Sequence, residues 1–541
     1  MPDEALAPAG LRLTPDPGTQ LVTGAAGQDG VVLVGGSPVR VLRLTPAGAR
    51  QVAGWLAGAP VPASAAARSL ARRLLDAGIA HPDFGPAPGR PAGPGPGDVT
   101  VVIPVKDRHA ELDRCLAGLA GQPGPGLTCP AHVIVVDDGS AEPAAIKAIA
   151  AARGADVIRR PVNGGPGAAR NTGLRAARTG LVAFLDSDCV PRPGWLDRLL
   201  PHFADPAVGA VAPRIVPYRS AAGAGVGCSK DGWLARYEGA SSTLDMGARP
   251  SPVRPGARVS YVPGAALVVR RDAAGDGFAD GMYVGEDVDF VWRLAAAGWR
   301  VRYEPAAVMG HDHRVTFRAW FSRRSDYGTS AAALEQRHPG AVRPLYASAW
   351  TAGAWTAAVA GRPLTAAALT GAATALLARR LSRVTGERWP LPARGTGWRL
   401  AARLAAGGTV TAGRPLGSAL SRTWWPLAVP AAVLVPRLRL PVAALMLAPP
   451  LLDWAERRPP LDPARYVAAR LLDDAAYSLG VWQGCLARRT VRPLLPVIGS
   501  RAPGRRARGR PTRGRLAGWQ VAGPRLVPSK GDQGRAADAP L

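Results

Sequence analysis

Short apolar runs of strand length alternate with helical stretches through the middle of this chain. VTVVIPV (99–105), AHVIVVDD (131–138), ADVIRR (155–160) and GLVAFLDSD (180–188) carry the continuous apolar character of strands buried on both faces. Helices fit 109–120, 142–153, 166–178 and 193–203. A later strand, Ala265–Arg270, precedes a loop and a helix over 286–297. This alternation predicts an α/β domain over 99–335.

The flanks read differently. Residues 1–84 predict a small separate module: Val31–Val34 and Val39–Leu44 are strand-like around Gly35-Gly36, a hairpin signal. Thr45-Pro46 opens a helix with Val52, Trp55 and Leu56 on one face, and a second helix, Ala63–Ala77, stops at Gly78. A hairpin with two helices is winged-helix-like, a shape that can bind DNA or peptide or dock on the next domain. Of its helical basic residues only Arg68, Arg72 and Arg73 suggest a recognition helix, so peptide binding or docking ranks above DNA. GPAPGRPAGPGPGD (85–98) is a linker whose Pro and Gly density forbids helix.

Residues 340–500 predict an apolar helical region. Pro344–Gly361 and Leu364–Ala378 are uncharged stretches split by Arg362. Trp424–Pro436 and Leu440–Leu452 are apolar blocks of about thirteen residues, split by Arg437 and Arg439. None alone reaches the ~20 apolar residues a bilayer span requires. Buried bundle helices, interfacial or re-entrant helices, and spans that tolerate one Arg all fit. Trp424-Trp425 and Trp454 bracket the last blocks as an aromatic belt would. The tail, 501–541, has nine Arg and one Lys against Asp532 and Asp538, and predicts a disordered polybasic segment able to adhere to anionic lipid.

Composition narrows the classes. Hydrophobic residues at 47% against 20% charged exclude a wholly disordered chain, and 65 Gly with 54 Pro but no G-X-Y period exclude collagen. The net charge of +28 suits an anionic partner: a membrane surface, a nucleic acid or a phosphorylated substrate. Five Cys with no C-x-x-C argue against a disulfide framework or zinc ribbon and for a reducing compartment. The opening MPDEALAPAG lacks an apolar run, so no signal peptide is expected.

Chemistry concentrates at the predicted strand ends. VVIPVKDR places Asp107 just past the first strand, and DDGS places Asp137 and Asp138 at the end of the second. Carboxylates there sit in the crevice where open α/β sheets bind ligands, although DDGS is equally a good turn. NGGPGAARN (163–171) lets backbone approach a ligand closely and offers Arg170 to a diphosphate, but it is no P-loop, since no G-K-[ST] follows. FLDSDCVP puts Asp186 and Asp188 two apart at a strand end, where both can converge on one hard cation. Glu286-Asp287 opens a helix, a favourable place for acids in any case. His311 and His313 in GHDHR can reach a metal from one face or serve as hydrogen-bonded loop histidines. Arg323 and Arg324 can meet phosphate, a solvated basic face being the simpler reading.

Taken in order, strand–Asp, strand–DDGS, Gly/Arg/Asn, strand–DSD resembles the nucleotide-binding half of the family 2 inverting glycosyltransferases with the GT-A fold. VGEDVDFVWRL (284–294) stands where that family carries an acceptor-side motif ending in Glu-Asp. The resemblance implies a GT-A nucleotide-sugar-binding domain, a Rossmann-like mixed sheet, between the winged-helix-like module and the apolar helical region. It implies that Asp186 and Asp188 contact the sugar nucleotide and its divalent metal, Mg²⁺ or Mn²⁺, with His311 helping to hold it. It assigns Asp138 to the base or ribose, and Pro104, Asp107, Gly167 and Arg170 to the rest of the nucleotide-sugar site. Asp287 becomes the general base with Glu286 beside it. Inverting transfer is an in-line displacement at the anomeric carbon: a carboxylate must take the acceptor proton while a cation and an Arg stabilise the leaving diphosphate.

With the front module and the apolar C-terminal region included, the likeness reaches about residue 500 and points to the mycofactocin-system branch of the family. That implies a hexose moved from UDP-glucose to a hydroxyl of a peptide-derived redox cofactor precursor, building an oligosaccharide, with no nucleic-acid partner. The expected location is the cytoplasmic side of the cell membrane, or else the cytoplasm. The main rival is transfer to a polyprenyl phosphate or other lipid acceptor. A processive synthase is weakened because no Q-x-x-R-W follows Asp287. A DNA-binding regulator or an inactive scaffold fits the ordered acidic motifs poorly.

Overall fold

A computed structural model describes residues 6–23, 31–85, 93–120, 130–218, 232–312, 316–385 and 396–499. The polybasic tail, His313 and the middle of the Pro/Gly linker lie outside the described residues.

The front module runs β1 (Arg12–Pro15), β2 (Gln20–Thr23), β3 (Val31–Gly35), β4 (Arg40–Leu44), α1 (Pro46–Leu56), α2 (Ala65–Ala77) and β5 (Ala80–Asp83). Thr45 caps α1 by accepting from the Gly48 N–H, and Ser64 caps α2 through the Ala67 N–H. Gly78 ends α2 at φ 67°, a conformation that favours glycine. β2, β3 and β4 form one antiparallel sheet and β1 pairs with β5. Leu33, Trp55, Leu74, Leu75 and Ile79 make the core beneath. The module is docked. Arg72, buried, gives two hydrogen bonds to Asp205 at 2.8 and 2.7 Å, and Arg258 gives two to Asp16 at 2.7 and 3.1 Å. Arg68 donates to the Ala7 carbonyl. Two of the three helical arginines noted for recognition are therefore engaged internally.

The elements of the central α/β part follow: β6 (Val99–Val105), α3 (His109–Ala120), β7 (His132–Asp138), α4 (Pro143–Ala152), β8 (Asp156–Arg160), α5 (Gly165–Ala176), β9 (Leu181–Leu185), β10 (Cys189–Pro191), α6 (Trp195–Leu199), β11 (Val208–Pro217), α7 (Trp233–Ser241), β12 (Ser251–Pro252), β13 (Ala266–Arg270), α8 (Arg271–Ala274), α9 (Glu286–Ala296), β14 (Arg300–His311) and α10 (Phe317–Arg337). The sheet order is β10-β14-β11-β13-β9-β6-β7-β8, with β12 on β14. β9, β6, β7 and β8 run parallel, while β13 is antiparallel to both β9 and β11. This is the mixed, GT-A-like sheet. Every residue of β6 and β9 is buried, as their unbroken apolar runs require. Parallel neighbours bring their carboxyl ends to one edge, so Asp138 and Asp186 arrive at the same crevice.

After β15 (Tyr346–Ala347) the chain is helical: α11 (Ala349–Val359), α12 (Pro363–Thr385), α13 (Thr396–Thr411), α14 (Gly413–Ala419), a π turn at Leu420–Trp424, α15 (Trp425–Leu434), α16 (Pro436–Arg457) and α17 (Pro463–Ala487); β16 (Val497–Ile498) then pairs with β15. Ala378, Leu381, Leu400 and Ala401 of α12 and α13 cover Val32 and Val34 of β3, so the front sheet is packed on both faces. α17 lies backbone to backbone on α10. A Cβ on Gly480 would stand 1.9 Å from the Ser325 carbonyl, and one on Gly328 2.1 Å from that of Tyr477. The apolar block 440–452 sits within the 22-residue α16, which by length and composition is long and apolar enough to cross a membrane, in keeping with the reading that left room for a span interrupted by Arg. α15 buries no residue and α16 only Pro450.

Candidate active site

One cavity of about 590 Å³ opens at the carboxyl ends of β6, β7 and β9. Of the residues expected to act, Pro104, Asp138, Arg170, Asp186, Asp188, Glu286, Asp287 and His311 line it, though they come from six separate stretches of sequence.

Asp287 is the second residue of α9, which starts after Gly285 at φ 81°. Its Oδ2 accepts from the Gly264 N–H at 2.7 Å and its Oδ1 from the Val288 N–H at 2.8 Å. Two backbone donors thus aim the carboxylate while it stays partly exposed to the cavity. A Cβ on Gly264 would lie 2.9 Å from that of Asp287 and 3.3 Å from the Arg170 guanidinium carbon, so only glycine permits this approach. The other acid of the motif, Asp289, is fully buried and held by Arg293, Arg337 and His338. It is structural.

Arg170 is 2% exposed and stacks on Phe278. Its Nη1 donates to Glu286 at 2.9 Å and its Nη2 to Asp186 at 2.6 Å. Burial opposes its charge, but Asp186 and Glu286 outweigh that and hold it protonated. Burial, with Asp287 adjoining, pushes the Glu286 carboxyl up to about 7 against the pull of Arg170. Arg170 therefore bridges Glu286, at the head of α9, and the strand-end Asp186.

The antiparallel pairing of β10 with β14 sets Cys189 opposite His311, which brings His311 Nε2 within 3.4 Å of Asp188 Oδ1. Asp188 Oδ2 accepts from Arg108. Burial works against the Asp188 charge, but His311 and Arg108 hold its carboxyl below the usual range. Carboxylate oxygen suits Mg²⁺ or Mn²⁺, whereas imidazole nitrogen suits Mn²⁺ better than the hard, oxygen-seeking Mg²⁺, so of the two implied cations this pair fits Mn²⁺ better. Cys189 lies within the same 4.8 Å cluster, but burial pushes its thiol far above the usual range and sulfur suits neither ion. Asp186 is turned onto Arg170 rather than into this cluster.

Three expectations change. Asp107, at φ 54°, does not line the cavity: its N–H donates to Ser140 Oγ and its Oδ1 accepts from the Ala141 N–H, so it braces the DDGS turn. Gly167 is buried behind the cavity, and a Cβ there would meet Phe278 and Glu286 at 3.3 and 3.4 Å. It lets α5 close on Glu286. Arg323 and Arg324 are no solvated face. Arg324 is buried against Glu238 and Asp473, and Arg323 stands over the Tyr327 ring at 4.9 Å, lining the cavity. Asp138 lines the cavity, yet both its oxygens are engaged, by Arg160 and the Gly164 N–H on one side and the Gly165 N–H on the other.

The sequence reading missed Arg108, although it directly follows Asp107 in VVIPVKDR. It also missed Tyr261, Tyr327, Arg422 and Tyr477, which line the same cavity. No local motif marks the last two, which sit in the apolar helical region.

Two family models match: "Glycosyl transferase family 2" over residues 100–237 and "Glycosyl transferase family group 2" over 181–434. The pre-mycofactocin glycosyltransferase of Mycobacterium tuberculosis is 41% identical over 488 residues, covering 87% of this chain and 95% of the relative. The chain belongs to that glycosyltransferase family. It is a family 2 transferase. The succinoglycan biosynthesis protein ExoU of Rhizobium meliloti is 35% identical over 108 residues, 19% of this chain and 30% of its own. Among solved structures, a mannosyltransferase from Pyrobaculum calidifontis with GDP-mannose and Mn²⁺ is 21% identical, with a TM-score of 0.34 over 60% of this chain and 89% of its own. Glucosyl-3-phosphoglycerate synthase of M. tuberculosis, with Mn²⁺, UDP and product, is 19% identical with a TM-score of 0.30, over 44% and 80%.

Proposed function

We propose that this enzyme moves a hexose from a nucleoside diphosphate sugar, UDP-glucose first, onto a hydroxyl of pre-mycofactocin, with inversion and with a divalent cation. The observation that carries the reading is one cavity holding Asp287, the bridging Arg170 and the Asp188–His311 pair. Asp287, aimed by two backbone N–H groups, takes the acceptor proton. Arg170 keeps Asp186 and Glu286 in place around the anomeric centre. Asp188 and His311 would hold the cation, which would supply charge neutralisation for the leaving diphosphate. Support for the acceptor comes from the name of the M. tuberculosis relative and its coverage of the chain.

The test is nucleotide release and product mass for a panel of sugar nucleotides, with Mg²⁺, Mn²⁺ or chelator, with and without pre-mycofactocin. The expected result is metal-dependent turnover of one donor and addition of its hexose to the acceptor. Turnover only with a polyprenyl phosphate would favour the lipid-acceptor rival, and full activity in chelator would remove the metal.

We also propose that the α15–α16 hairpin rests on the anionic cytoplasmic face of the membrane. Leu434 and Leu440 are 79% and 80% exposed, with Leu427, Val433 and Leu452 also uncovered and Arg437 and Arg439 at the bend. Exposed apolar side chains beside Arg are what an anionic bilayer accepts. The full chain should co-sediment with phosphatidylglycerol vesicles and Leu434→Asp/Leu440→Asp should not; equal recovery of both proteins in the supernatant would refute the placement.

A further inference from the structure

The far wall of the cavity is built by helices remote from the acidic motifs. Arg422 comes from the π turn between α14 and α15, and Tyr477 from α17, and both line the cavity that holds Asp287. π turns inside helices are rare and favour functional sites. This one turns Arg422 over the Tyr477 ring, 4.4 Å from guanidinium carbon to ring centre. The arrangement is braced from behind. Asp474 Oδ1 accepts from Arg422 Nη1 at 3.3 Å, and Asp474 Oδ2 accepts from Ser421 Oγ at 2.5 Å. The side chain of Arg422 remains 30% exposed, so donors are left for a ligand. Tyr477 is positioned by the glycine contacts between α10 and α17, which leave no room to slide.

Tyr261 ties this wall to the reacting centre. Its side chain is partly exposed to the cavity, and desolvation first, then Tyr477 and Asp287, push its hydroxyl up to about 12 against the pull of Arg422. Tyr327 acts on it too. A Cβ on Gly285, at the head of the helix that carries Asp287, would stand 2.8 Å from Ser330 Cβ, one turn of α10 from Tyr327, and Gly328 beside Tyr327 meets the Tyr477 carbonyl, so Tyr327, Tyr477 and the Arg422 stacked on it stand on the Asp287 side of the cavity. The Asp188–His311 pair belongs to the side assigned above to the leaving diphosphate.

We infer that Arg422 and Tyr477 form the acceptor subsite, taking a molecule that lays a ring face on tyrosine and presents a carbonyl or carboxylate oxygen to the guanidinium. This rests on the transferase reading above. Tyrosine faces supply flat contact at low entropic loss, and a guanidinium fixed by a carboxylate behind it makes directional hydrogen bonds. The helical region thus selects the acceptor, while the sheet edge binds the donor.

The experiment compares Arg422→Gln, Tyr477→Ala and the milder Tyr477→Phe with wild type in the full chain, using UDP-glucose as donor and pre-mycofactocin as acceptor. Donor Kd is measured alongside acceptor KM. Arg422→Gln and Tyr477→Ala should each raise acceptor KM at least tenfold with donor Kd within about twofold of wild type. Tyr477→Phe, which keeps the ring, should raise it less than threefold. Unchanged acceptor KM in Arg422→Gln and Tyr477→Ala would overturn the subsite while leaving the transferase reading intact. Wild type that hydrolyses UDP-glucose but never modifies pre-mycofactocin would overturn the acceptor assignment and this subsite with it. Should Tyr477→Ala lose donor binding through misfolding, Arg422→Gln and Tyr477→Phe still decide the matter.

Discussion

Replacing Asp287 by Asn is the sharpest test of the chemistry, because the change is isosteric and the site shows what it perturbs. Both carboxylate oxygens accept backbone N–H groups, from Gly264 and Val288, at 2.7 and 2.8 Å. An Asn can satisfy only one of these with its carbonyl; its amide group must face the other donor. That mismatch costs about 1–3 kcal/mol, at the low end because the side chain borders an open cavity. The loss of a positioned base is worth 10²–10⁴ in rate, about 3–5 kcal/mol. The chemical term therefore exceeds the structural one, and the two act on different observables. Acceptor-dependent kcat should fall at least a hundredfold, donor Kd should stay within threefold, and the unfolding midpoint should drop only slightly. Steady-state transfer, calorimetric donor titration and urea unfolding on one preparation separate them. A kcat within threefold of wild type would refute Asp287 as the base. A parallel collapse of donor binding and stability would show that Asp287 acts by holding the Gly264 loop.

Asp188→Ala should weaken donor binding in Mn²⁺ to the level wild type shows in chelator; a metal-dependent gain equal to wild type would remove Asp188 as a ligand. Asp205→Ala leaves Arg72 buried without its carboxylate, so urea unfolding should show a loss of about 3–5 kcal/mol, and a change below about 1 kcal/mol would refute the docking account. Glu286, whose carboxyl is raised in the folded protein from the ordinary 4.5 to about 7, keeps its proton where the unfolded chain has lost it. Its stabilising contribution is complete below pH 4.5 and is lost as pH rises to 7. The urea midpoint of Glu286→Gln should accordingly gain on wild type across that window, and parallel pH profiles would show that Glu286 titrates normally.

Much of the fold was legible because local rules and tertiary packing agree. The buried runs of β6 and β9, the Thr45-Pro46 helix start and the Gly78 stop need no distant partner to be read. Asp186, Asp188 and Asp287 were legible because acids at strand and helix ends are local features whose order along the chain carries meaning. What the chain alone left open depended on contacts between distant segments. DDGS was both a turn and a ligand site, and the structure divides the work: Asp107 and Ser140 brace the turn while Asp138 faces the cavity. Two aspartates of one motif, Asp287 and Asp289, differ only in which face of α9 they occupy and hence in whether cavity or arginines meet them. His311 reaches Asp188 only through the register of β10 on β14. Arg422 and Tyr477 lie in a region whose composition announces apolar packing and nothing more. They reach the cavity because a π turn rotates one and glycine-to-glycine contact between α10 and α17 fixes the other. Local propensity is set by neighbours along the chain; a site assembled from six stretches and two remote helices is set by packing, which only the folded chain decides.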